Sequence, residues 1–276
     1  MRIALAQQRA TDDRQANVER GLRAVDEAAA AGARLVCFAE LAFEPFYPQC
    51  PATLSSVEKA EGVPGPIVNA FARTAIEHGV VIVLNLYERD GDKTYDCSPV
   101  IDADGRLLGR TRMVHITDYA GFYEQGYYAP GDTGVPVYDT KVGRIGVAIC
   151  YDRHYPEYMR GLAVAGADLV VVPQAGAAGE WPEGLYEAEM RVAAFQNGYY
   201  VALCNRVGQE EHVRFAGESF VCNFDGVVIA RAPGGEDTIL YADVELAETA
   251  CSHAKKLFFR DRRPELYAGW LSKNPV

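Results

Sequence analysis

Cys150 closes a short run of small and β-branched residues, Gly143–Ile149, and opens the polar stretch Tyr151–His154. The apolar run predicts a strand buried on both faces, and the residues beyond it predict a helix over Tyr155–Ala165. A thiol on a strand-to-helix turn stands clear of the sheet beside the backbone N–H groups of a helix start. Those groups favour a thiolate and can hold a developing oxyanion. Two readings stand for Cys150, an activated nucleophile or an inert buried thiol.

Two acids have settings that suit proton transfer. Glu40 ends a strand expected over Leu35–Ala39 and is followed by Phe43, Phe46 and Tyr47. A carboxylate among aromatics is poorly solvated, so its pKa should rise toward that of a useful general base. The alternative is a partly exposed loop acid. Glu124 lies in a similar aromatic stretch, between Phe122–Tyr123 and Tyr127–Tyr128.

The elements that position these groups are written twice. Arg2–Gln7 parallels Arg144–Ile149, each a predicted strand. Helical segments follow and end at Gly32 and Gly166, where a helix C-cap belongs; each runs into a strand, Leu35–Ala39 or Leu169–Pro173. Helices over Pro66–His78 and Glu183–Asn197 precede strands at Val80–Leu86 and Tyr199–Asn205. Asp-Gly pairs at 104–105 and 225–226, each between apolar runs, predict tight hairpins. Each half thus reads β-α-β-α-β-β. Two such sheets packed face to face give an α/β fold, a four-layer α-β-β-α sandwich, expected as a single domain over 1–276. In the repeat, Glu40 stands where the second half has Gln174. Residues 45–64 and 111–134 interrupt the repeat, and such insertions are where sites are built.

Composition narrows the partners. The 276 residues are 49% hydrophobic and carry a net charge of −11 with no basic run, which argues against nucleic acid or anionic membrane as a ligand. The N-terminal residues lack the apolar region of a signal peptide, and no run approaches the ~20 apolar residues of a membrane span. The 7 cysteines are scattered with no CxxC and no zinc-ligand spacing, so a reducing, cytoplasmic setting without structural metal is expected. No phosphate-binding glycine motif points to a nucleotide. The aromatic tail over 250–276 can dock on a partner subunit or on its own domain.

Taken together, Glu40 in Phe38–Leu41, Cys150 in Gly146–Arg153, Glu124 ahead of Tyr127–Asp132, and Asn205–Gly208 resemble the nitrilase superfamily of carbon–nitrogen hydrolases. The likeness is greatest to the amidase and N-carbamoyl amide hydrolase branch, including β-ureidopropionase, and covers nearly the whole chain. It implies hydrolysis of a small amide or N-carbamoyl compound with water and without a cofactor. Cys150 would be the nucleophile, Glu40 the general base and Glu124 a second acid that orients substrate or lysine. The resemblance also implies a homodimer or higher homo-oligomer.

One position departs from the pattern. The family lysine belongs two residues ahead of His115, and that position holds Met113. Strand alternation turns the neighbouring Arg112 away from that face. The other reading is therefore an impaired or silent member that binds a metabolite or a protein. For catalysis, the N–H of Tyr151 is the expected oxyanion donor. Tyr47, Tyr123, Tyr127 and Trp181 are expected pocket walls or core. Arg206 is expected to meet either a substrate carboxylate or a structural acid.

Overall fold

A computed structural model describes residues 1–272. The first half runs β1 (Arg2–Gln7), α1 (Arg14–Ala30), β2 (Ala33–Phe38), α2 (Leu54–Val57), α3 (Pro66–His78), β3 (Val81–Val83), β4 (Leu86–Asp90), β5 (Lys93–Ile101) and β6 (Leu107–Arg112). A small hairpin, β7 (Asp118–Tyr119) and β8 (Phe122–Tyr123), leads to β9 (Val137–Thr140). The second half follows as β10 (Gly143–Val147), α4 (Pro156–Val164), β11 (Leu169–Gln174), α5 (Leu185–Asn197) and β12 (Tyr200–Asn205). It continues with β13 (Val207–Gln209), β14 (Arg214–Ala216), β15 (Phe220–Cys222), β16 (Val228–Arg231) and β17 (Thr238–Asp243), and α6 (Pro264–Leu271) lies near the end.

The duplication is visible in the ladders. One sheet has the order β17-β1-β2-β3-β5-β4 with β6 on β5, and the other β16-β15-β12-β11-β10-β9. In both, two parallel pairings (β1·β2·β3 and β10·β11·β12) are followed by an antiparallel one. β17 crosses from the second half to pair antiparallel with β1.

Strand alternation sorts the layers. Ile3 and Leu5 of β1 join Ile145, Val147, Leu169 and Val171 in a core between the two sheets. Their neighbours Ala4 and Ala6 face α1 and α3, and Val170 and Val172 face α4 and α5. This is the α-β-β-α sandwich the sequence implies. The Cys204 thiol reaches the Cys37 carbonyl across the central layer at 3.4 Å.

Local chemistry explains the boundaries. The Asp13 side chain caps α1 by accepting the Ala16 N–H (3.0 Å), and Pro66 opens α3. Gly79 and Gly198 end α3 and α5 at φ of 63° and 68°, values only glycine adopts without strain. The segment expected as one strand over Val80–Leu86 divides instead. Leu84 and Asn85 leave the ladder between β3 and β4, and the Asn85 side chain turns into the site. The start of the tail packs on its own chain, Phe258 against Phe195 of α5 at 5.6 Å, while Trp270 and Leu271 stay exposed. Residues 273–276 lie outside the described residues.

Candidate active site

Two strand ends carry the reacting groups on strained turns. Leu41, just after Glu40, has φ of 44°, and Cys150 has φ of 41°. A left-handed backbone at a residue with a Cβ costs about 1–3 kcal/mol and persists only where surrounding structure fixes it. For Glu40 that structure is visible. The Arg206 guanidinium, fully buried, donates to the carbonyls of Glu40 (2.9 Å), Leu41 and Glu44 (3.0 Å) and to the Glu210 carboxylate. Leu41 N–H donates to Asn85 Oδ1 at 2.8 Å. Arg206 is thus committed to holding a turn, and the expectation that it meets a substrate carboxylate gives way to the structural role.

The Cys150 turn is tied to the segment holding Met113. Asp152, buried two residues after Cys150, accepts the N–H of Val114 (3.2 Å) and of His115 (3.0 Å) and the His115 Nδ1 (2.6 Å). The His115 ring stacks on Tyr155 at 3.4 Å. Met113 is fully buried in the same core cluster as Cys150. Arg112 points the other way, into Glu88, Asp90 and Asp132 (2.8, 2.6 and 2.8 Å), as alternation requires. None of the five described lysines is buried, so no ammonium replaces the missing one. Tyr151 directly follows Cys150, and its ring packs toward His154 and Tyr155.

Around Cys150 the structure gathers four buried acids, Glu40, Asp96, Glu124 and Asp152. Glu40 is 0% exposed, which removes the reading as a partly exposed loop acid. Desolvation first, and then the charge of Glu124, push its pKa up to about 7. Burial likewise raises Glu124 and Asp96 well above the ordinary carboxyl range. The Cys150 thiol is also pushed well up, chiefly by burial and then by Glu40 and Glu124. A resting thiolate, expected from the turn alone, is therefore disfavoured, and the thiol needs a base. Neither Glu40 oxygen meets a hydrogen-bond donor, and the Asp96 carboxyl and the Cys150 thiol are among the groups close enough to act on its pKa. Glu124 accepts the Thr117 N–H at 3.2 Å and leaves Oε1 unpaired.

A cavity of about 710 Å³ is lined by Tyr119, Phe122, Tyr123, Glu180 and His212, among others. Tyr119 on its wall lies within electrostatic range of Cys150 and Glu124, and Tyr123 on the same wall directly precedes the buried Glu124; Cys150 and the four acids are not themselves part of the lining. Tyr123 lines this cavity, while Tyr47, Tyr127 and Trp181 do not. Tyr47 instead donates to Glu44 (3.1 Å), and Tyr127 donates to the Cys50 carbonyl (3.0 Å). Trp181 packs behind the wall, 5.3 Å from the His154 ring and 6.5 Å from Tyr119, with its indole N–H unpaired. At the cavity rim, Cys50, Glu211 and His212 bring potential ligand atoms within 4.8 Å of one another.

Three contributors escaped the sequence reading. Glu180 accepts the hydroxyls of Tyr119 and Tyr186 and the Ala177 N–H (3.0 Å), which fixes a carboxylate in the cavity wall. Its signal was an acid beside a tryptophan in the loop after β11. Asp96 was legible as an acid inside the apolar strand β5, where buried residues otherwise run unbroken from Thr94 to Ile101. Asp152 stands in the polar turn after Cys150, where residue type alone does not distinguish it from Arg153 and His154.

Comparison with known proteins places these residues in a family setting. Residues 2–252 match the carbon–nitrogen hydrolase family model. The chain is 35% identical to an N-carbamoylputrescine amidase from Solanum lycopersicum over 99% of its own length and 97% of the relative's. A carbon–nitrogen hydrolase from Helicobacter pylori G27 superposes with a TM-score of 0.92 at 28% identity, covering 100% of this chain and 99% of that one. An amidase variant from Nesterenkonia sp. AN1 superposes at 0.81 with 26% identity, covering 98% of this chain and 96% of that one. That structure shows covalent addition of the acetamide moiety of fluoroacetamide at the active site cysteine.

Proposed function

The chain belongs to the carbon–nitrogen hydrolase family, and on that premise we propose that it hydrolyses a small N-carbamoyl amine or carboxamide through a covalent intermediate on Cys150. The observation that carries the reading is Glu40, a fully buried carboxylate with no donor on either oxygen and a pKa pushed up to about 7, close enough to Cys150 to raise the pKa of its thiol. A base poised near neutrality accepts the thiol proton without being permanently protonated. The Cys150 sulfur attacks the carbonyl carbon as its proton passes to Glu40. The Tyr151 N–H and its neighbours meet the developing oxyanion. Collapse expels ammonia, which takes the proton back from Glu40, and leaves a thioester or its carbamoyl counterpart. Water then gives its proton to Glu40 and attacks that carbonyl; the proton passes from Glu40 to the departing Cys150 sulfur, and the carboxylic or carbamic acid is released. Glu124 orients the substrate nitrogen from its unpaired Oε1.

The substrate class follows from charge. Glu180 is fixed in the cavity wall, Arg206 is occupied with backbone, and the buried guanidinium that acts on Cys150, Arg153, is paired with Glu189 (3.5 Å), so the cation left on the cavity lining is the exposed Arg214. Such a site favours a substrate with a neutral or cationic tail and disfavours a carboxylate tail. The likeness to an N-carbamoylputrescine amidase is consistent with that preference. The proposal also includes self-association through the apolar face of α4, α5 and α6, where Val164, Val192 and Leu271 are exposed.

The test is ammonia release from an N-carbamoyl diamine, an N-carbamoyl amino acid and simple amides, with Cys150→Ala in parallel. Release should be fastest from the diamine derivative and absent in the variant. Absence of release from every compound would favour the silent binding protein suggested by Met113. A preference for the carboxylate-bearing compound would overturn the charge argument.

A further inference from the structure

The acids around Cys150 pose a problem of proton count. Glu40, Asp96, Glu124 and Asp152 are all buried, and no buried lysine offsets them among the described residues. Two of these, Glu40 and Asp96, are joined through Asn85, whose Oδ1 accepts the N–H of Leu41 next to Glu40 (2.8 Å) and whose Nδ2 donates to Asp96 Oδ1 (2.5 Å); both Glu40 oxygens and Asp96 Oδ2 are buried with no donor. Carboxylates only accept, so these orphaned oxygens can satisfy each other only when one of the pair holds a proton.

The surroundings say which one. Asn85 Nδ2 donates to Asp96 Oδ1 at 2.5 Å and to Ser98 Oγ at 3.1 Å, which fixes the Asp96 carboxyl by one oxygen. Asp96 Oδ2 has no donor and is buried. Glu40 also lacks a donor on both oxygens and, as the base of the proposed reaction, must receive the Cys150 proton. A protonated Glu40 would leave the thiol without a base. A protonated Asp96 gives the orphaned oxygens a partner: Oδ1 accepts from Asn85, Oδ2–H donates to Glu40, and Glu40 stays ionised and able to receive the Cys150 proton.

From this geometry we infer that Asp96 is a positioning residue, held as a neutral carboxylic acid that donates its proton to Glu40 and keeps Glu40 an oriented, singly charged base. The inference rests on the reading of Glu40 as the base that receives the Cys150 proton. It supplies a local answer to Met113. Where an ammonium would stabilise the negative charge on Glu40, a neutral acid does so by a hydrogen bond. During turnover the Cys150 proton moves to Glu40 and on to the leaving nitrogen, while the Asp96 proton stays in place. Above the pH at which Asp96 ionises, two adjacent carboxylates repel and the arrangement is lost. The other titratable groups facing the pair are Glu124, Asp152, Cys150, Cys97 and Tyr128, with Arg206 beyond Glu40.

Asp96→Asn and Asp96→Ala separate the possibilities. The amide of D96N can accept from Asn85 through its oxygen and donate to Glu40 through its nitrogen, so kcat/KM should stay within about threefold of the parent. D96A removes the donor and should lose about tenfold or more. In D96N the alkaline limb of kcat/KM should move to higher pH, because the group that ionised is gone. Infrared spectroscopy at pH 7 should show one protonated-carboxyl stretching band in the parent that D96N lacks. The spectrum needs no turnover, so it decides the protonation even if no substrate is found. An unchanged carboxyl band in D96N, a folded but inactive D96N, or a D96A variant with the parent's rate and pH profile would each overturn the inference.

Discussion

Glu40 concentrates the energetics of the site in one residue. Its ordinary value is 4.5 and its folded value about 7, so between those limits the folded protein holds the proton more tightly than the unfolded chain. Stability therefore falls as pH rises from about 4.5 to 7, and above that window the folded state carries a penalty of about 3 kcal/mol from this group. Glu40→Gln should abolish turnover and raise the melting temperature at pH 8 by several degrees, with the gain vanishing near pH 5. Thermal melts across that range check it. The same value sets the acid limb of kcat/KM near pH 7. Met113→Lys, placing a cation beside the acids, should move that limb down by about one unit or more; a pH–rate profile of the variant measures the shift. At this scale the sequence was informative: residue type and aromatic surroundings singled out Glu40, Glu124 and Cys150, which the structure gathers. Asp96 and Glu180 escaped because their meaning comes from partners far along the chain, Glu40 and Tyr119.

Elements decide how rigidly these residues are held. The Glu40–Glu44 turn hangs on Arg206, which follows the end of β12, so the second half of the duplication supports the base of the first. Arg206→Ala leaves the Glu40 and Glu44 carbonyls without their donor and a buried Glu210 oxygen without its cation, while Leu41 O keeps the Glu44 N–H and the other Glu210 oxygen keeps Phe46 N–H and Gln49 Nε2. It should cost about 3 kcal/mol or more in urea unfolding and lower kcat together with stability. Arg206→Lys should recover little, since one ammonium cannot span a fork of four acceptors. Periodicity and Asp-Gly pairs located the helices and hairpins closely. The break between β3 and β4 was not legible, because an apolar run does not reveal that Asn85 leaves the ladder to reach Leu41 and Asp96.

For the whole molecule, duplication accounts for most of the architecture. The repeated β-α-β-α pattern foretold two sheets and their outer helices. It did not foretell β17, whose pairing with β1 links the end of the second half to the first strand. No helix among the described residues is long and apolar enough to cross a membrane. The exposed apolar face of α4, α5 and α6 belongs to this scale as well. Val192→Asp should shift the protein to a smaller species in sedimentation velocity if copies meet there; an unchanged sedimentation coefficient would exclude that face. The central claim, covalent C–N bond hydrolysis at Cys150 with methionine in the lysine position, has one direct measurement. Turnover of an N-carbamoyl diamine is quenched with acid and the Cys150 peptide is weighed by mass spectrometry. The account predicts a carbamoyl-type adduct on Cys150 that is absent in Glu40→Gln. Ammonia release at a steady rate with Cys150 unmodified at every quench time, and undiminished in Cys150→Ala, would contradict it.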